Sequence, residues 1–308
     1  MQEYVATVDI DSHIIRYGVI EAHGGVTEAG RYPQAAFALR EQTERIPDAD
    51  ALRECVPGLI RTLQKEYDLR GVCIATAGMV EPVRGVVFHA PEDLPSYAGT
   101  NWKEIIREAT GLRAEADNRV NCLALAEYVS GAAMSASSAL CMTIGDTLGG
   151  CIITEGRIWR GATLSACEIG YLPMYGSTLE TLSSNAALIR KVAAIKGKLR
   201  FDWTEERIFE EAVRGDADCI RAIDEMCEVL GRGISTICYV ANPEVVVLGG
   251  GIMAHHAFFL PRIRAAMEKY LIEPVMLGTF FASAAYGKEG AMLGAFYHYH
   301  AMQSQRNQ

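Results

Sequence analysis

The apolar residues of the chain fall into two patterns, short unbroken runs and longer stretches with helical spacing. Unbroken runs bounded by turn residues predict buried strands, and apolar residues at helical spacing predict amphipathic helices. The predicted strands are residues 4–10, 14–20, 71–78, 139–145, 244–248 and 280–285, and the predicted helices are 49–67, 102–110, 178–192, 205–213, 220–240 and 291–296. Because helices alternate with strands, the pattern favours parallel pairing and an α/β fold.

Polar side chains gather at one junction between a predicted strand and a predicted helix. Asn118, Arg119 and Asn121 stand there, directly before a run of strong helix formers. Asn118 is placed to cap the helix, because its side-chain oxygen can accept from free backbone N–H groups. Ligands of α/β sheets usually bind at the carboxyl ends of strands, which makes this junction a candidate site. A capped helix with a surface arginine explains the same residues, so the local sequence leaves both interpretations open.

Two glycine-containing turns are further candidates for a ligand site. Gly149 and Gly150 join two apolar strands, and residues 249–251 follow a buried strand. Glycine at such turns leaves backbone N–H groups open to a ligand, although a tight turn alone also explains them. Glu168 stands among small and apolar residues. A buried carboxylate needs a partner, and a ligand hydroxyl is one that would serve.

The composition of the chain excludes several classes of protein. The 308 residues are 50% hydrophobic and 22% charged, which is ordinary for a soluble globular chain of about two domains. A net charge of −9 without any basic run argues against nucleic acid as a direct partner. Nine scattered cysteines without a Cys-x-x-Cys pair favour reduced, buried thiols and a cytoplasmic location. No apolar run reaches the length of about 18 residues that a membrane span needs, so no membrane partner is expected.

The turns match, in order and spacing, the functional elements of a known family. From residue 5 to residue 296 the chain resembles the ROK family (repressors, open reading frames, kinases), which belongs to the actin-like ATPase and sugar kinase superfamily. The resemblance implies two α/β domains of the ribonuclease-H-like type that flank a cleft, where active members bind a sugar and ATP. The implied domains are residues 1–118 and 119–290, with a last helix at 291–302 that packs back on the first domain. The family commonly forms dimers, so a homodimer is expected.

Two catalytic elements of the family are altered in this sequence. The phosphate element Asp-Ile-Gly-Gly-Thr-Lys reads Asp-Ile-Asp-Ser-His-Ile at residues 9–14, so Asp9 is kept and Asp11 adds negative charge where a polyphosphate would lie. The element Asn-Asp-Ala-Asn, whose aspartate is the general base in the family, reads Asn-Arg-Val-Asn at residues 118–121. Arg119 stays protonated and cannot accept a proton, and loss of a general base typically costs a factor of about 10² to 10⁴ in rate. Asp117 could replace it only through a shift of register.

The remaining elements lie closer to the family pattern. By resemblance, the substrate-binding residues are Gly78, Asn118, Glu168 and Glu180, and the cofactor-binding residues are Asp9, Thr147, Gly149, Gly250 and Gly251. The family's zinc segment is shortened here to residues 174–180 without cysteine, and Tyr171 replaces its histidine, so no zinc is expected and no residue is assigned to a metal. ATP and Mg²⁺ stay open as cofactors, although the altered phosphate element disfavours them.

Two functions are compatible with these residues. The first is a sugar-binding protein derived from an ATP-dependent hexose or N-acetylhexosamine kinase, with impaired or no phosphotransfer. The second is an active sugar kinase of the glucokinase, N-acetylmannosamine kinase or beta-glucoside kinase type. The altered base and phosphate elements favour the first. Arg119 would then either pair with Asp9, Asp117 or Glu168, or contact a ligand anion such as a sugar carboxylate or phosphate.

Overall fold

The computed structural model describes residues 3–27, 32–91 and 93–306 of the chain. These residues divide into two compact units. Unit 1 holds the described residues up to Ser135, the segment Arg160–Ser165, and those from Lys288 onward. Unit 2 holds Ala136–Trp159 and Ala166–Gly287. The boundary after Ser135 differs from the boundary after residue 118 that the sequence analysis drew, and it leaves the helix that begins at Arg119 in unit 1.

Unit 1 is built on a five-stranded mixed sheet. Its strands are β1 (Glu3–Asp11), β2 (Ile14–Val26), β3 (Pro33–Arg45), β4 (Leu69–Thr76) and β7 (Ala114–Asn118), in the order β3-β2-β1-β4-β7. The first three strands pair antiparallel with one another, whereas β1, β4 and β7 run parallel. A short hairpin of β5 (Met79–Glu81) and β6 (Val86–His89) follows β4. The predicted α/β class and the predicted first hairpin are confirmed.

Four helices cover this sheet in the described part of unit 1. They are α1 (Ala49–Leu63), α2 (Trp102–Thr110), α3 (Arg119–Ser130) and α10 (Gly290–Arg306). The α1 helix begins where the Asp48 side chain accepts from the backbone of Ala51 at 2.8 Å, and α2 ends at Gly111 in the left-handed region. The α10 helix packs along α3 and against β1, β4 and β7.

Unit 2 repeats the same sheet topology. Its strands are β8 (Ser138–Ile144), β9 (Leu148–Thr154), β10 (Arg157–Ile158), β13 (Val245–Gly249) and β14 (Phe280–Ser283), in the order β10-β9-β8-β13-β14. As in unit 1, an antiparallel meander leads into parallel strands, here β8, β13 and β14. A two-residue hairpin of β11 (Pro173–Met174) and β12 (Ser177–Thr178) stands apart from the sheet.

The helices of unit 2 form most of its core. They are α4 (Leu179–Ser183), α5 (Asn185–Ile195), α6 (Glu205–Val213), α7 (Ala217–Ala241), α8 (His256–Glu268) and α9 (Glu273–Gly278). The predicted apolar stripe of α7 is confirmed, since Ile223, Cys227 and Leu230 are buried. The helix predicted over residues 178–192 is interrupted at Ser184, whose hydroxyl caps α5 by accepting from Ala187. Within the described chain, none of the helices is both long enough and apolar enough to cross a membrane.

Candidate functional site at the carboxyl ends of the sheets

Asn118 ends β7 and caps α3, as the sequence predicts. Its Oδ1 accepts from the backbone of Val120 at 2.8 Å and of Asn121 at 3.3 Å, while its Nδ2 donates to the carbonyl oxygen of Gly78 at 2.8 Å. Gly78 itself has a φ of +86°, and a Cβ there would lie 2.6 Å from the carbonyl oxygen of His89. The structure therefore brings two predicted substrate-binding residues together, and it shows that the Asn118 amide also holds the loop after β4 in place.

Arg119 is the first residue of α3, and its guanidinium is held by two carboxylates. Its Nε lies 2.5 Å from Asp9 Oδ1 and its Nη2 lies 3.1 Å from Asp9 Oδ2, a bidentate arrangement. Its Nη1 lies 2.6 Å from Asp11 Oδ1. Burial lowers the pKa of Arg119, but Asp9 and Asp11 outweigh that effect and hold the pKa above its ordinary value. Of the pairings that the sequence left open, the structure forms the one with Asp9.

A second guanidinium completes this cluster. Arg16 Nη1 lies 3.0 Å from Asp9 Oδ2 and 3.5 Å from Asp11 Oδ2. The Asp9 side chain is fully buried, whereas that of Asp11 is 40% exposed. Asp9, Asp11, Arg16 and Arg119 are called the Asp9 cluster here, and their four formal charges cancel.

The sheet explains why these side chains meet. In the β1–β2 hairpin Asp9 stands opposite Arg16, so their pairing follows from the antiparallel register. Across the parallel strands, Asp9 is level with Ala75 of β4, and Ala75 is level with Asp117 of β7. The carboxyl ends of β1 and β7 therefore lie at one edge of the sheet, where Arg119 reaches across to Asp9.

Asp117 is engaged by a partner that the sequence analysis did not single out. Arg160 places Nη1 3.0 Å from Oδ1 and Nη2 2.5 Å from Oδ2 of this buried carboxylate, and Asn121 Nδ2 adds a contact of 3.2 Å. Burial raises the pKa of Asp117, but Arg160 and His298 outweigh it and leave the pKa below its ordinary value. Both oxygens are thus hydrogen-bonded to cationic or amide donors. No local signal marks Arg160 for this role, because it lies 43 residues along the chain from Asp117.

In unit 2, Glu180 and Glu168 lie near the turn that begins β9. Glu180 Oε2 accepts from the backbone N–H of Leu148 at 2.8 Å, so its carboxylate helps to fix the strand that contains Gly149. Glu168 precedes a single 3₁₀ turn at Ile169–Tyr171. Thr147 is exposed, and its carbonyl oxygen accepts from the backbone of Gly145 at 3.1 Å.

The glycines that follow β13 are constrained by space and by backbone conformation. Gly250 has a φ of +95°, and a Cβ there would lie 2.3 Å from the carbonyl oxygen of Ile144. Only glycine satisfies both conditions. At Gly251 a Cβ would lie 3.3 Å from Glu205 Oε2. The structure therefore puts a carboxylate beside a glycine that the sequence analysis assigned to the cofactor.

Comparison with known proteins decides the family. The model of the ROK family matches residues 5–302. The chain belongs to the ROK family. The resemblance inferred from the sequence motifs is thereby confirmed.

Relatives match the chain over nearly its whole length. It is 36% identical over 294 residues to an uncharacterized protein of Clostridium perfringens, covering 96% of this chain and 97% of that one. It is 25% identical over 303 residues to a beta-glucoside kinase of Listeria monocytogenes, covering 96% and 97%. The solved ROK family glucokinase from Streptomyces griseus, in complex with glucose and AMPPNP, aligns with a TM-score of 0.79 at 22% identity, covering 95% and 97%. At that identity the structural likeness concerns the fold.

Residues 174–180, which the sequence pattern aligns with a zinc segment, include the turn and second strand of the β11–β12 hairpin. The ring of Tyr175 at its turn lies 4.6 Å from the guanidinium of Arg232 in α7, a cation–π contact. Among the described residues, no group of three His, Cys, Asp or Glu side chains is arranged to hold a metal ion. An arginine and a tyrosine thus bridge the hairpin to α7 in this ROK chain.

Glu205, the first residue of α6, is a half-buried carboxylate that the sequence analysis treated only as a helix start. Burial raises its pKa to about 7, and the nearby Glu206 and Asp146 add to the shift. Together with the position of Gly251, this places a carboxyl that titrates near neutral pH beside the glycines after β13 in this ROK protein. A single glutamate at a helix start carries no sequence signal for such a shift, because the shift depends on tertiary neighbours.

Replacing Glu205 by glutamine is expected to raise the melting temperature at pH 8 and to leave it nearly unchanged at pH 4. The folded state holds the Glu205 proton up to a pKa of about 7, whereas the unfolded state releases it near 4.5. The unfolded state thus binds fewer protons between these values, so this group's contribution to the free energy of unfolding falls as the pH rises through that window. Thermal melts from pH 4 to 8 measure the difference.

The exposed Glu54 of α1 provides the matched control for that series. Glu54→Gln is expected to give a melting temperature that tracks the unmodified protein at every pH. A Glu205→Gln effect equally large at pH 4 and at pH 8 would contradict the assignment of the raised pKa to this carboxyl.

Proposed function

We propose that this ROK protein binds a sugar and has impaired or no phosphotransfer activity. The observation that carries the proposal is the bidentate pairing of Arg119 with Asp9. In the family pattern, residue 119 is the position of the general base. Here it is a cation whose pKa lies above its ordinary value, and so it cannot accept the proton of a sugar hydroxyl at any physiological pH.

The neighbouring carboxylate does not replace the missing base. Asp117 is buried, both of its oxygens are hydrogen-bonded, and its pKa is lowered by Arg160 and His298 against the effect of burial. An effective base has a pKa near the working pH and a path to its substrate. Asp117 therefore supports the structure at the end of β7, and we do not assign it the catalytic role.

The residues present do not fit ATP and Mg²⁺. Both oxygens of Asp9 already accept from guanidinium groups, so a cation at Asp9 would have to displace Arg16 or Arg119. Asp11 and Ser12 carry side chains where the family pattern has glycines for close approach to phosphate. In unit 2, Glu205 lies beside Gly251. We therefore assign neither a nucleotide nor a metal ion to these residues.

The sugar-binding part of the proposal rests on the family and on the residues that it shares with the pattern. The Listeria monocytogenes relative is a beta-glucoside kinase, and the Streptomyces griseus structure is in complex with glucose. A hexose or N-acetylhexosamine is accordingly the proposed ligand class, with Gly78, Asn118, Glu168 and Glu180 as its binding residues. We further propose a cytoplasmic homodimer.

An active kinase is the competing function, and one observation favours it. Gly250 keeps the positive φ and the close backbone contact that exclude every other residue. Gly250 is one of the residues that the family pattern assigns to the nucleotide. The relatives named as kinases point the same way.

A coupled assay separates the two functions. With ATP–Mg²⁺ and a panel of glucose, N-acetylmannosamine, N-acetylglucosamine and a beta-glucoside, we expect turnover about 10² to 10⁴ times below that of the Listeria beta-glucoside kinase run in parallel. Calorimetry with the same sugars should still detect binding. Turnover comparable to the Listeria enzyme on any sugar would overturn the proposal.

A gain-of-function variant tests whether residue 119 occupies the position of the general base. Arg119→Asp combined with Asp11→Gly and Ser12→Gly restores the family residues at these three positions and avoids placing three carboxylates together. We expect sugar-dependent ATP turnover to rise above that of a control carrying only Asp11→Gly and Ser12→Gly. Equal activity of the two variants would show that residue 119 does not occupy the base position.

A further inference from the structure

The two carboxylates of the Asp9 cluster hold Arg119 in different ways. Asp9 is fully buried and accepts hydrogen bonds from Nε and Nη2 of the guanidinium. Asp11 is 40% exposed and contacts Nη1 alone. The Arg119 side chain is itself 30% exposed. Asp9 therefore fixes the orientation of the guanidinium, while Asp11 covers its outer side.

The contact with Asp11 is the exchangeable one. Asp11 is the more exposed of the two carboxylates, so solvent screens its ion pair with Arg119 more than it screens the buried pair with Asp9. Breaking the Asp9 contact would instead leave a buried charge with less compensation, which is strongly unfavourable. An incoming anion can thus replace Asp11 on Arg119 without disturbing the buried pair.

Arg16 makes the same position attractive to an anion from a second side. Its Nη1 lies 3.5 Å from Asp11 Oδ2, so the Asp11 carboxylate stands between two guanidinium groups. A ligand carboxylate or phosphate that takes the place of the Asp11 carboxylate would lie between the same two guanidinium groups, whose N–H donors suit either anion.

We propose that the ligand of this site is an anionic sugar, whose carboxylate or phosphate replaces the Asp11 carboxylate between Arg119 and Arg16. This inference rests on the proposed function, because it takes the sugar to bind at the end of β7, beside Arg119. It adds that the charged substituent, rather than a hydroxyl, is the group that residue 119 recognises. Asp11 then acts as an internal competitor for the same guanidinium donors.

Calorimetry with four probes at one ionic strength tests the proposal. The probes are D-glucose, D-glucuronate, D-glucose 6-phosphate and inorganic phosphate. We expect one of the two anionic sugars to bind at least about tenfold more tightly than glucose, as one charge-assisted hydrogen bond would give, and its affinity to fall with added salt. Preference for glucuronate identifies a carboxylate as the ligand group, and preference for glucose 6-phosphate identifies a phosphate.

Two variants assign the effect to the Asp9 cluster. Asp11→Asn removes the internal competitor and is expected to tighten the anionic sugar by about two- to fivefold, and so to raise its preference over glucose. Arg119→Lys keeps a positive charge beside Asp9 but loses the planar fork, and it should reduce the preference for the anionic sugar. Thermal melts of both variants establish that they are folded.

The outcomes that overturn this inference differ from those that overturn the proposed function. Glucose binding as tightly as both anionic sugars, or inorganic phosphate binding as tightly as the sugar phosphate, would refute the anionic-sugar assignment. An Asp11→Asn variant with unchanged affinities would also refute it. The loss of kinase activity is measured separately by ATP turnover, so either conclusion can fail while the other stands.

Discussion

Replacing Gly294 by alanine is expected to lower the free energy of unfolding by roughly 3 kcal/mol or more, which is at or above the usual range for overpacking. An ideal Cβ at this position would lie 1.6 Å from the carbonyl oxygen of Cys122 and 2.3 Å from its carbonyl carbon. These are backbone atoms of α3, so no side-chain rotation relieves the overlap. The α10 and α3 helices would have to move apart, and their contacts would be lost together. Urea denaturation at pH 7 measures the change.

Gly58 in the middle of α1 offers the matched control. Nothing lies within 4 Å of a Cβ built at this position. Gly58→Ala is therefore expected to stabilise the protein by about 0.5–1 kcal/mol, because alanine is the better helix former and restricts the unfolded chain. Similar stabilities for the two variants would contradict the close approach of α10 to α3. Since α3 begins at Arg119, Gly294→Ala should also weaken the Asp9 cluster.

Replacing Arg160 by leucine is expected to cost about 3–5 kcal/mol of stability at pH 7, the usual range when a buried ion pair loses one partner. The Asp117 carboxylate would stay buried without the guanidinium that now contacts both of its oxygens. In the unmodified protein burial lowers the pKa of His298 to about 4, so Arg160 is the cation that faces Asp117 at pH 7. The variant leaves a buried anion without its main partner, and the desolvation of that anion destabilises the folded state.

The pH dependence of this variant follows from the sign of the pKa shift. In the unmodified protein the pKa of Asp117 lies below its ordinary value, so the pair stabilises the fold at neutral pH and loses that contribution only as the pH falls below about 4. In Arg160→Leu, burial is left to dominate and should raise the pKa of Asp117. The stability deficit should then be largest at neutral pH and shrink towards pH 4, as measured by urea midpoints.

A double variant isolates the charge from the packing. Asp117→Asn together with Arg160→Leu removes both charges, and we expect it to recover most of the stability that Arg160→Leu alone loses at pH 7. If the single and double variants lose the same stability at every pH, then Arg160 acts through packing rather than through its charge.

Several elements could be placed from the sequence to within a residue. The helices at Trp102–Thr110 and Glu205–Val213 have the predicted bounds, because each begins after a capping side chain, Asn101 or Thr204. The strand Pro33–Arg45 was missed. Many of its residues are exposed or half-buried and polar, so its apolar signal is weak, and its pairing with β2 is what defines it as a strand.

The candidate site was foreseen in part. The cap formed by Asn118 and the position of Arg119 in the family pattern came from the sequence, and the ROK family is confirmed. The sequence did not decide whether Arg119 pairs with Asp9, Asp117 or Glu168. Arg160 and Glu205 were not identified at all, because neither stands in a motif and each acquires its role from residues distant in sequence.

The sequence by itself determined the caps, most of the helices and strands, and the chemical fact that residue 119 cannot act as a base. These depend on local backbone hydrogen bonding and on the identity of one side chain. Only the tertiary structure decided that Arg119 pairs with Asp9, a residue 110 positions away, and that Asp117 pairs with Arg160. Strand order puts β1 and β7 on either side of β4, and burial then selects which opposite charges must meet. Neither the strand order nor the burial can be deduced from the spacing of the residues along the chain.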